Sequence, residues 1–189
     1  MSGLFKPARH GGAVLTLEPV EASILRSLTV QMLELLGPGD EPDADEDPLA
    51  RLFATGPSEP PDDPALARLF PDAYSEGPDS AQHSAEFRRF TENELRTRKR
   101  EDGLAVVRSI DRAPAGRKGR IELHLEPEDC RHWLGTLNDL RLTLGTRLEV
   151  SEDDETMYRL PDEDPRKPLM MAYLWLGGLQ ETLIEVLMR

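Results

Sequence analysis

The stretch Gly12-Ala-Val-Leu-Thr-Leu-Glu-Pro19 returns later in the chain as Gly119-Arg-Ile-Glu-Leu-His-Leu-Glu-Pro127. In both copies, apolar and β-branched residues typical of a short strand run directly into Glu-Pro. Proline suits the first position of a helix, because its missing N–H would be unpaired there in any case. Each copy therefore predicts a strand that leads into a helix. We expect the two strands to pair as a ribbon; the alternative is a chance likeness, since helix starts favour Glu-Pro by themselves.

Apolar residues recur at helical spacing in four stretches of the chain. They predict helices over 19–36, 80–110, 127–148 and 168–188. The apolar face expected for the first helix consists of Ile24, Leu25, Leu28, Leu33, Leu35 and Leu36. The corresponding positions of the second helix are Phe87, Phe90, Leu95, Leu104, Val107 and Ile110. The predicted fold is mainly α, a helical bundle with a small two-stranded β ribbon formed by two strand–Glu-Pro–helix units, in a single domain over residues 1–189.

Two acidic loops are predicted, a proline-rich one over residues 37–64 and another over residues 149–167. The first contains Asp47-Pro-Leu-Ala-Arg-Leu-Phe53, which has a near copy in Asp63-Pro-Ala-Leu-Ala-Arg-Leu-Phe70. We expect both copies to form short surface helices. The alternative is that the second copy packs on the core and the first copy competes for the same groove.

Composition narrows the classes of function. The net charge of −13 keeps the chain soluble and repels nucleic acid and anionic lipid, except where a local patch reverses the charge. No apolar stretch is long enough to cross a bilayer, so we expect no contact with a membrane. Cys130 is the only cysteine, which excludes an intrachain disulfide. Together with the lack of a signal-peptide pattern, these features predict a cytoplasmic protein.

Motifs that carry catalysis are missing from the sequence. It contains no nucleophile elbow, Walker loop, dinucleotide fingerprint or zinc-ligand pair. Carboxylates do cluster at Glu126, Glu128 and Asp129, but acids at a helix start are ordinary caps, and acid–base catalysis would need one of them buried. We therefore predict a protein that is not an enzyme, with no catalytic residue, no cofactor and no metal site.

A basic segment runs from Arg88 to Arg120 and holds eleven bases against five acids. Such a segment can bind an acidic protein or the phosphates of a nucleic acid. The alternative is that it neutralises the acidic loops of its own chain. Its densest part supplies the predicted partner-binding residues, which are Arg88, Arg89, Arg96, Arg98, Lys99 and Arg100.

Cys130 lies at the centre of the apolar arc of the third predicted helix. A buried cysteine behaves as a small hydrophobe with an inert thiol, and redox sensing is the alternative role. Arg141 falls in the same arc, where it must be paired because an isolated buried charge is costly. We predict structural ion pairs for Arg141 and Arg147, with partners on another helix or subunit; a ligand site is the alternative.

Several segments together resemble one known family: Gly11–Leu28, Ala67–Tyr74, Glu86–Thr91, Trp133–Leu148 and Tyr173–Leu183. The most specific part runs Leu-Asn-Asp-Leu-Arg-Leu-Thr-Leu-Gly-Thr-Arg, within the fourth segment. These segments are similar to the actinobacterial domain-of-unknown-function family usually encoded beside the adaptor of the Clp protease. Some members are described as oxidative-stress transcriptional regulators of the AosR type, which act with an alternative sigma factor and use an intrachain disulfide as the switch. One cysteine cannot form that disulfide, so only the partner-binding role carries over.

The resemblance implies a non-enzymatic regulatory binding protein. We expect a stress-linked transcriptional regulator that acts through a protein partner such as a sigma factor or RNA polymerase. The alternatives are an accessory factor of Clp-dependent proteolysis, which would bind Clp components, and direct DNA binding through residues 88–120. The last helix is apolar on most sides in its first half, which suits the middle of a bundle or a dimer interface, so a homodimer stays open.

Overall fold

The computed structural model describes residues 4–9, 11–38, 56–151 and 160–189. The strands are β1 (Lys6–Pro7), β2 (Ala13–Leu17) and β3 (Ile121–Leu125). The helices are α1 (Pro19–Leu36), α2 (Pro64–Leu69), α3 (Ser80–Arg112), α4 (Pro127–Arg147) and α5 (Lys167–Leu187), and a 3₁₀ turn (Arg117–Gly119) precedes β3. The fold is mainly α with one small antiparallel sheet, as predicted. No helix among the described residues has the length and apolar character needed to span a membrane.

The predicted pairing of the two strand–Glu-Pro–helix units is confirmed. Strands β2 and β3 run antiparallel, with Leu15 directly opposite Leu123. Alternate residues of both strands are buried, because successive side chains of a strand point to opposite faces. Strand β1 pairs with β2 on its other side, so the sheet has three strands in the order β1-β2-β3 rather than the predicted two. A strand as short as Lys6–Pro7 leaves no periodic pattern in a sequence.

Each strand leads into its helix through a capping box. The backbone N–H of Glu18 donates to the Glu21 carboxylate at 2.8 Å, and the N–H of Glu126 donates to Asp129 at 3.1 Å. The side chains of Glu18 and Glu126 in turn accept from the backbone of the third helical residue. These reciprocal bonds satisfy N–H groups that a helix start otherwise leaves unpaired. The acids around Glu126 are therefore helix caps.

Helix α4 lies at the centre of the packing, where it contacts α2, α3 and α5. Its largest buried side chain is Trp133, whose ring meets Phe5 edge-on at 5.8 Å. The indole N–H of Trp133 donates to Ser109 Oγ at 3.2 Å, which pairs the polar atom of this buried ring. The sheet residues and the buried side of α5 join the same apolar cluster. The centre of the bundle thus rests on the second of the two repeated units.

The second Leu-Ala-Arg-Leu-Phe copy packs on the core, so the prediction of a surface helix is wrong for this copy. Asp63 accepts hydrogen bonds from the backbone of Ala65 and Leu66 at 2.8 and 3.0 Å and so caps α2. Leu69 and Phe70 at the end of this helix are both buried. The first copy, over residues 47–53, lies outside the described residues, as do most of the predicted loop 37–64 and residues 152–159 of the predicted loop 149–167.

The first half of α3 does not follow the predicted apolar pattern. Phe87 and Phe90 are 46% and 70% exposed, and Leu95 and Leu104 are exposed as well. The side chains buried there are polar, namely Ser84, Arg88 and Glu92. In the second half, Ile110 is buried as predicted, while Val106 takes the place expected for Val107. On α1, Ile24 is also exposed, and Ala22, Thr29 and Met32 are among the residues that are buried instead. A helix of 33 residues extends past the hydrophobic core, so its periodicity alone cannot say which face is covered.

Candidate functional site

The inner half of the basic segment, Arg88 to Arg100, makes most of its side-chain contacts within the chain. Arg88 is only 5% exposed, and its guanidinium donates to Glu92 at 2.7 Å, to Asp72 at 2.8 Å and to the carbonyl of Phe70 at 3.0 Å. Burial by itself lowers the pKa of Arg88, but the hydrogen bonds that Arg88 donates to Glu92 and Asp72 outweigh it and raise that pKa above its usual range. Arg88 therefore ties the loop after α2 to α3.

Two further arginines close the end of α1. Arg96 donates to the Leu36 carbonyl at 2.5 Å and to Glu92 at 2.7 Å, and its guanidinium lies 4.6 Å from the centre of the Phe70 ring. Arg100 donates to the carbonyls of Leu33 and Gly37. Helix α1 has no basic residue in its own last turn. Cations from α3 thus satisfy carbonyls at the negative end of the α1 dipole.

Lys99 joins α3 to the central helix. Its Nζ lies 2.7 Å from Asp139 Oδ1, and Asp139 is buried. Of the six predicted partner-binding residues, Arg88, Arg96, Lys99 and Arg100 are therefore engaged inside the fold, and only Arg89 and Arg98 are exposed. For this inner half, the structure places the bases in the role of internal neutralisation. The spacing of Arg88, Glu92 and Arg96 at i, i+4 is a sequence signal that our sequence analysis missed.

The outer half of the basic segment remains open. We call it the basic end; it consists of Arg108, Arg112, Arg117, Lys118 and Arg120, all exposed. Arg120 pairs with Glu18 at 2.5 Å and lowers the pKa of that carboxyl. The side chains of the other four form no hydrogen bond or ion pair with a described residue. Lys118 has a left-handed backbone, with φ of 60°, which turns the loop tightly before β3.

A shallow concavity of about 740 Å³ lies against the basic end. Its lining includes Thr16, Ile121 and His124 of the sheet. Of the neighbouring acids, Asp111 pairs with Arg26 at 2.7 Å, and Glu122 lies 2.9 Å from the ring of His124. Unmatched positive charge beside a concave surface favours the docking of an acidic segment.

A second groove, of about 840 Å³, separates α3 from α4 and the end of α5. Asp102 Oδ1 lies 2.7 Å from His132 Nδ1 on its wall, and Gln180 contacts Asn138 at 3.5 Å. Within the described residues, no group of three or more histidine, cysteine or acidic side chains is placed to hold a metal ion. Two polar pairs thus link the walls of this groove, one between α3 and α4 and one between α4 and α5.

Arg141 contacts α5, as expected of a partner on another helix, but through different chemistry. Its guanidinium donates to Gln180 Oε1 at 2.6 Å and lies 5.3 Å from the centre of the Tyr173 ring. Among the described residues, neither Arg141 nor the exposed Arg147 forms an ion pair with a carboxylate. An amide and an aromatic face suit a half-buried guanidinium, which is flat and weakly hydrated.

The thiol of Cys130 lies in the core, with no exposed surface. Burial, together with the carboxylates of Asp129 and Glu126, raises the pKa of this thiol. The Sγ atom is 3.9 Å from the carbonyl oxygen of Leu125, a weak contact of the kind a small buried hydrophobe makes.

We expect Cys130 of the native chain to react with an aromatic disulfide reagent about 100-fold more slowly than the same thiol in urea, because both access and the thiolate fraction are reduced. The absorbance of the released thiolate measures the rate. The urea-unfolded chain is the control. Equal rates in the two states would contradict the buried position.

Asp139 should make stability depend on pH in an unusual direction. Burial raises its pKa, with Lys99 opposing the shift. When the pKa of a carboxyl is raised in the folded state, its protonated form favours folding. This contribution to the free energy of unfolding is full below the ordinary carboxyl pKa and is lost as pH rises through the raised pKa. We expect the free energy of unfolding of the native chain, relative to Asp139→Asn, to fall as pH rises above about 4. Urea titrations at successive pH values measure it.

Asp162 supplies the control for this measurement. It is exposed, and its bond to Lys167 lowers its pKa. The free energy of unfolding of the native chain relative to Asp162→Asn should therefore change in the opposite direction. It should fall as pH falls through the lowered pKa of Asp162. A difference of the same sign for both variants would count against the buried Asp139.

Comparison with known proteins gives two kinds of match. The family model described as "Domain of unknown function (DUF2017)" matches residues 1–187. Proteins named oxidative stress regulator AosR, from Mycobacterium bovis and Mycobacterium tuberculosis, are 36% identical to this chain over 109 residues. These matches cover 58% of the chain and 46% of each relative, so the chain spans about half the length of the curated relatives it matches. No solved structure matches the chain.

Proposed function

Because this chain belongs to the domain-of-unknown-function family DUF2017, we propose that it is a non-enzymatic regulatory protein of the oxidative-stress response, which acts by binding a protein partner. The name of its mycobacterial relatives, oxidative stress regulator, supports the regulatory part of the proposal. The partner is a component of the transcription machinery, such as a sigma factor or RNA polymerase. The chain contributes a binding surface, and its buried thiol takes no part.

The basic end carries this proposal. Arg108, Arg112, Arg117 and Lys118 project from the end of α3 and the following loop, and they have no described partner. A protein with a net charge of −13 gains long-range attraction for an acidic segment only where such a patch stands clear of its own carboxylates. Because the inner bases hold the fold together, recognition falls to the outer ones.

The test is affinity capture from a lysate of the source organism with the tagged full chain. We expect sigma factor or polymerase subunits to be captured by the native chain and reduced at least about 10-fold with the triple variant Arg112→Glu, Arg117→Glu and Lys118→Glu. Reversal of three charges turns attraction into repulsion. Quantitative mass spectrometry of the captured proteins is the measurement, followed by titration of the purified partner at two salt concentrations.

A second triple variant, Arg68→Glu, Arg89→Glu and Arg131→Glu, is the matched control. It reverses three exposed charges elsewhere on the surface and should keep the capture. Equal losses in both triple variants would rule out the basic end as the binding surface. Capture of Clp components would favour a role in Clp-dependent proteolysis over one in transcription. Steep salt dependence of DNA binding by the pure chain would indicate direct DNA contact.

A further inference from the structure

The first half of α3 carries an outward face that the other described residues leave largely uncovered. We call it the aromatic face; it consists of Ser80, His83, Phe87, Phe90, Glu94 and Thr97, within an arc of about 100° on the helix. Its two phenylalanines are 46% and 70% exposed. The opposite side of the same turns buries Ser84, Arg88 and Glu92. Neighbouring exposed aromatic side chains on one helix face are typical of an interaction surface.

The aromatic face has the heptad spacing of a coiled-coil seam. When two such helices run antiparallel about a point midway between Phe87 and Phe90, three kinds of layer form. Phe87 of one copy meets Phe90 of the other, His83 meets Glu94, and Ser80 meets Thr97. Each layer occurs twice, because the arrangement is two-fold symmetric. A parallel pair would instead place Glu94 against Glu94.

The centre of the face is held in place before any partner arrives. The ring of Tyr74 meets His83 and Phe87 edge-on, at 5.8 and 6.3 Å between ring centres. Two hydrogen bonds of 3.0 Å between the buried Ser84 hydroxyl and the backbone of Tyr74 fix that ring on the helix. A surface that is ordered in advance loses little side-chain entropy on binding.

We propose that the aromatic face is a self-association surface, on which a second copy of this chain docks in an antiparallel, two-fold symmetric α3–α3 contact. The partner is identified by complementarity: in this register a second copy pairs phenylalanine with phenylalanine and histidine with glutamate. A contact through one helix is at the small end of protein interfaces, so the dimer exchanges with monomer at micromolar concentrations.

Sedimentation equilibrium of the full chain over a concentration series tests the proposal. We expect a monomer–dimer equilibrium in the native chain. In Phe90→Ser the dissociation constant should rise about 100-fold, because the two-fold symmetric interface loses both of its Phe87–Phe90 contacts. Leu104→Ser is the matched control, since Leu104 is exposed on the same helix two turns beyond the paired layers. A native chain that stays monomeric throughout, or equal effects of the two variants, would overturn the proposal.

Charge reversal checks the register. His83→Glu places two carboxylates opposite each other in the layer with Glu94, and we expect it to weaken the dimer about 10-fold. The double variant His83→Glu, Glu94→Lys restores an opposite-charge pair and should recover most of that loss. If the double variant stays as weak as the single one, the antiparallel register is wrong.

Disulfide cross-linking reports on the contact between two copies independently of changes in protein stability. A chain with Ser80→Cys mixed with a chain with Thr97→Cys should form a disulfide-linked dimer on mild oxidation. Either chain alone should not, because Ser80 lies about 26 Å along the axis from its own symmetry mate. Cys130 stays out of this reaction because it is buried. Absence of the mixed dimer would exclude the layer.

Discussion

Replacing Arg88 with leucine is expected to lower the free energy of unfolding by about 3–5 kcal/mol, because it leaves the buried Glu92 carboxylate without one of its two arginine partners. Arg88 also holds Asp72 and the Phe70 carbonyl, so the variant frees the loop that follows α2. Guanidinium titration of the full chain, followed by far-ultraviolet circular dichroism, measures the change.

The adjacent arginine supplies the control. Arg89 is exposed, and Arg89→Leu should change the free energy of unfolding by less than about 0.5 kcal/mol. The double variant Arg88→Met, Glu92→Leu should recover part of the loss, since removing both members of a buried pair costs less than removing one. Similar costs for the two single leucine variants would mean that Arg88 is a surface residue, as the sequence alone suggested.

Replacing Gly12 with alanine is expected to destabilise the fold by at least about 4 kcal/mol. Gly12 lies between β1 and β2 with φ of +76°, a left-handed backbone that L side chains rarely adopt. A methyl group at this position would also overlap the carbonyl oxygen of Leu125 in the adjoining strand end. Relief would require β2 and β3 to separate where their pairing begins, so the cost falls on the centre of the fold.

A substitution at Gly11 separates the cost of the left-handed backbone from the cost of the overlap with Leu125. Its φ is +87°, but the nearest atom to an added methyl is Pro127 Cγ, at an ordinary 3.7 Å. Gly11→Ala should therefore cost only the backbone part, about 1–2 kcal/mol. Thermal unfolding of both variants beside the native chain measures the difference. Equal midpoints would show that the overlap with Leu125 is relieved without cost.

The local secondary structure of this chain could be predicted from its sequence. The two strand–Glu-Pro–helix units, their capping acids and the ends of the four long helices all depend on residues within about four positions of each other. The buried position of Cys130 followed from the same short-range periodicity, because the apolar arc of α4 is complete in itself. These predictions needed no knowledge of which element packs against which.

The roles of the charged and aromatic side chains were decided by the tertiary structure. Arg96 meets the Leu36 carbonyl across 60 positions of sequence, and Lys99 meets Asp139 across 40. A charge count along the basic segment weighs these bases the same as Arg117 and Lys118, although only the latter two are exposed. Likewise, the sequence marked Phe87 and Phe90 as apolar positions of a helix, but only the packing of α1, α2 and α4 shows which side of α3 is covered. Helical periodicity follows from a backbone that repeats every 3.6 residues, whereas burial follows from contacts between distant segments, which no local pattern records.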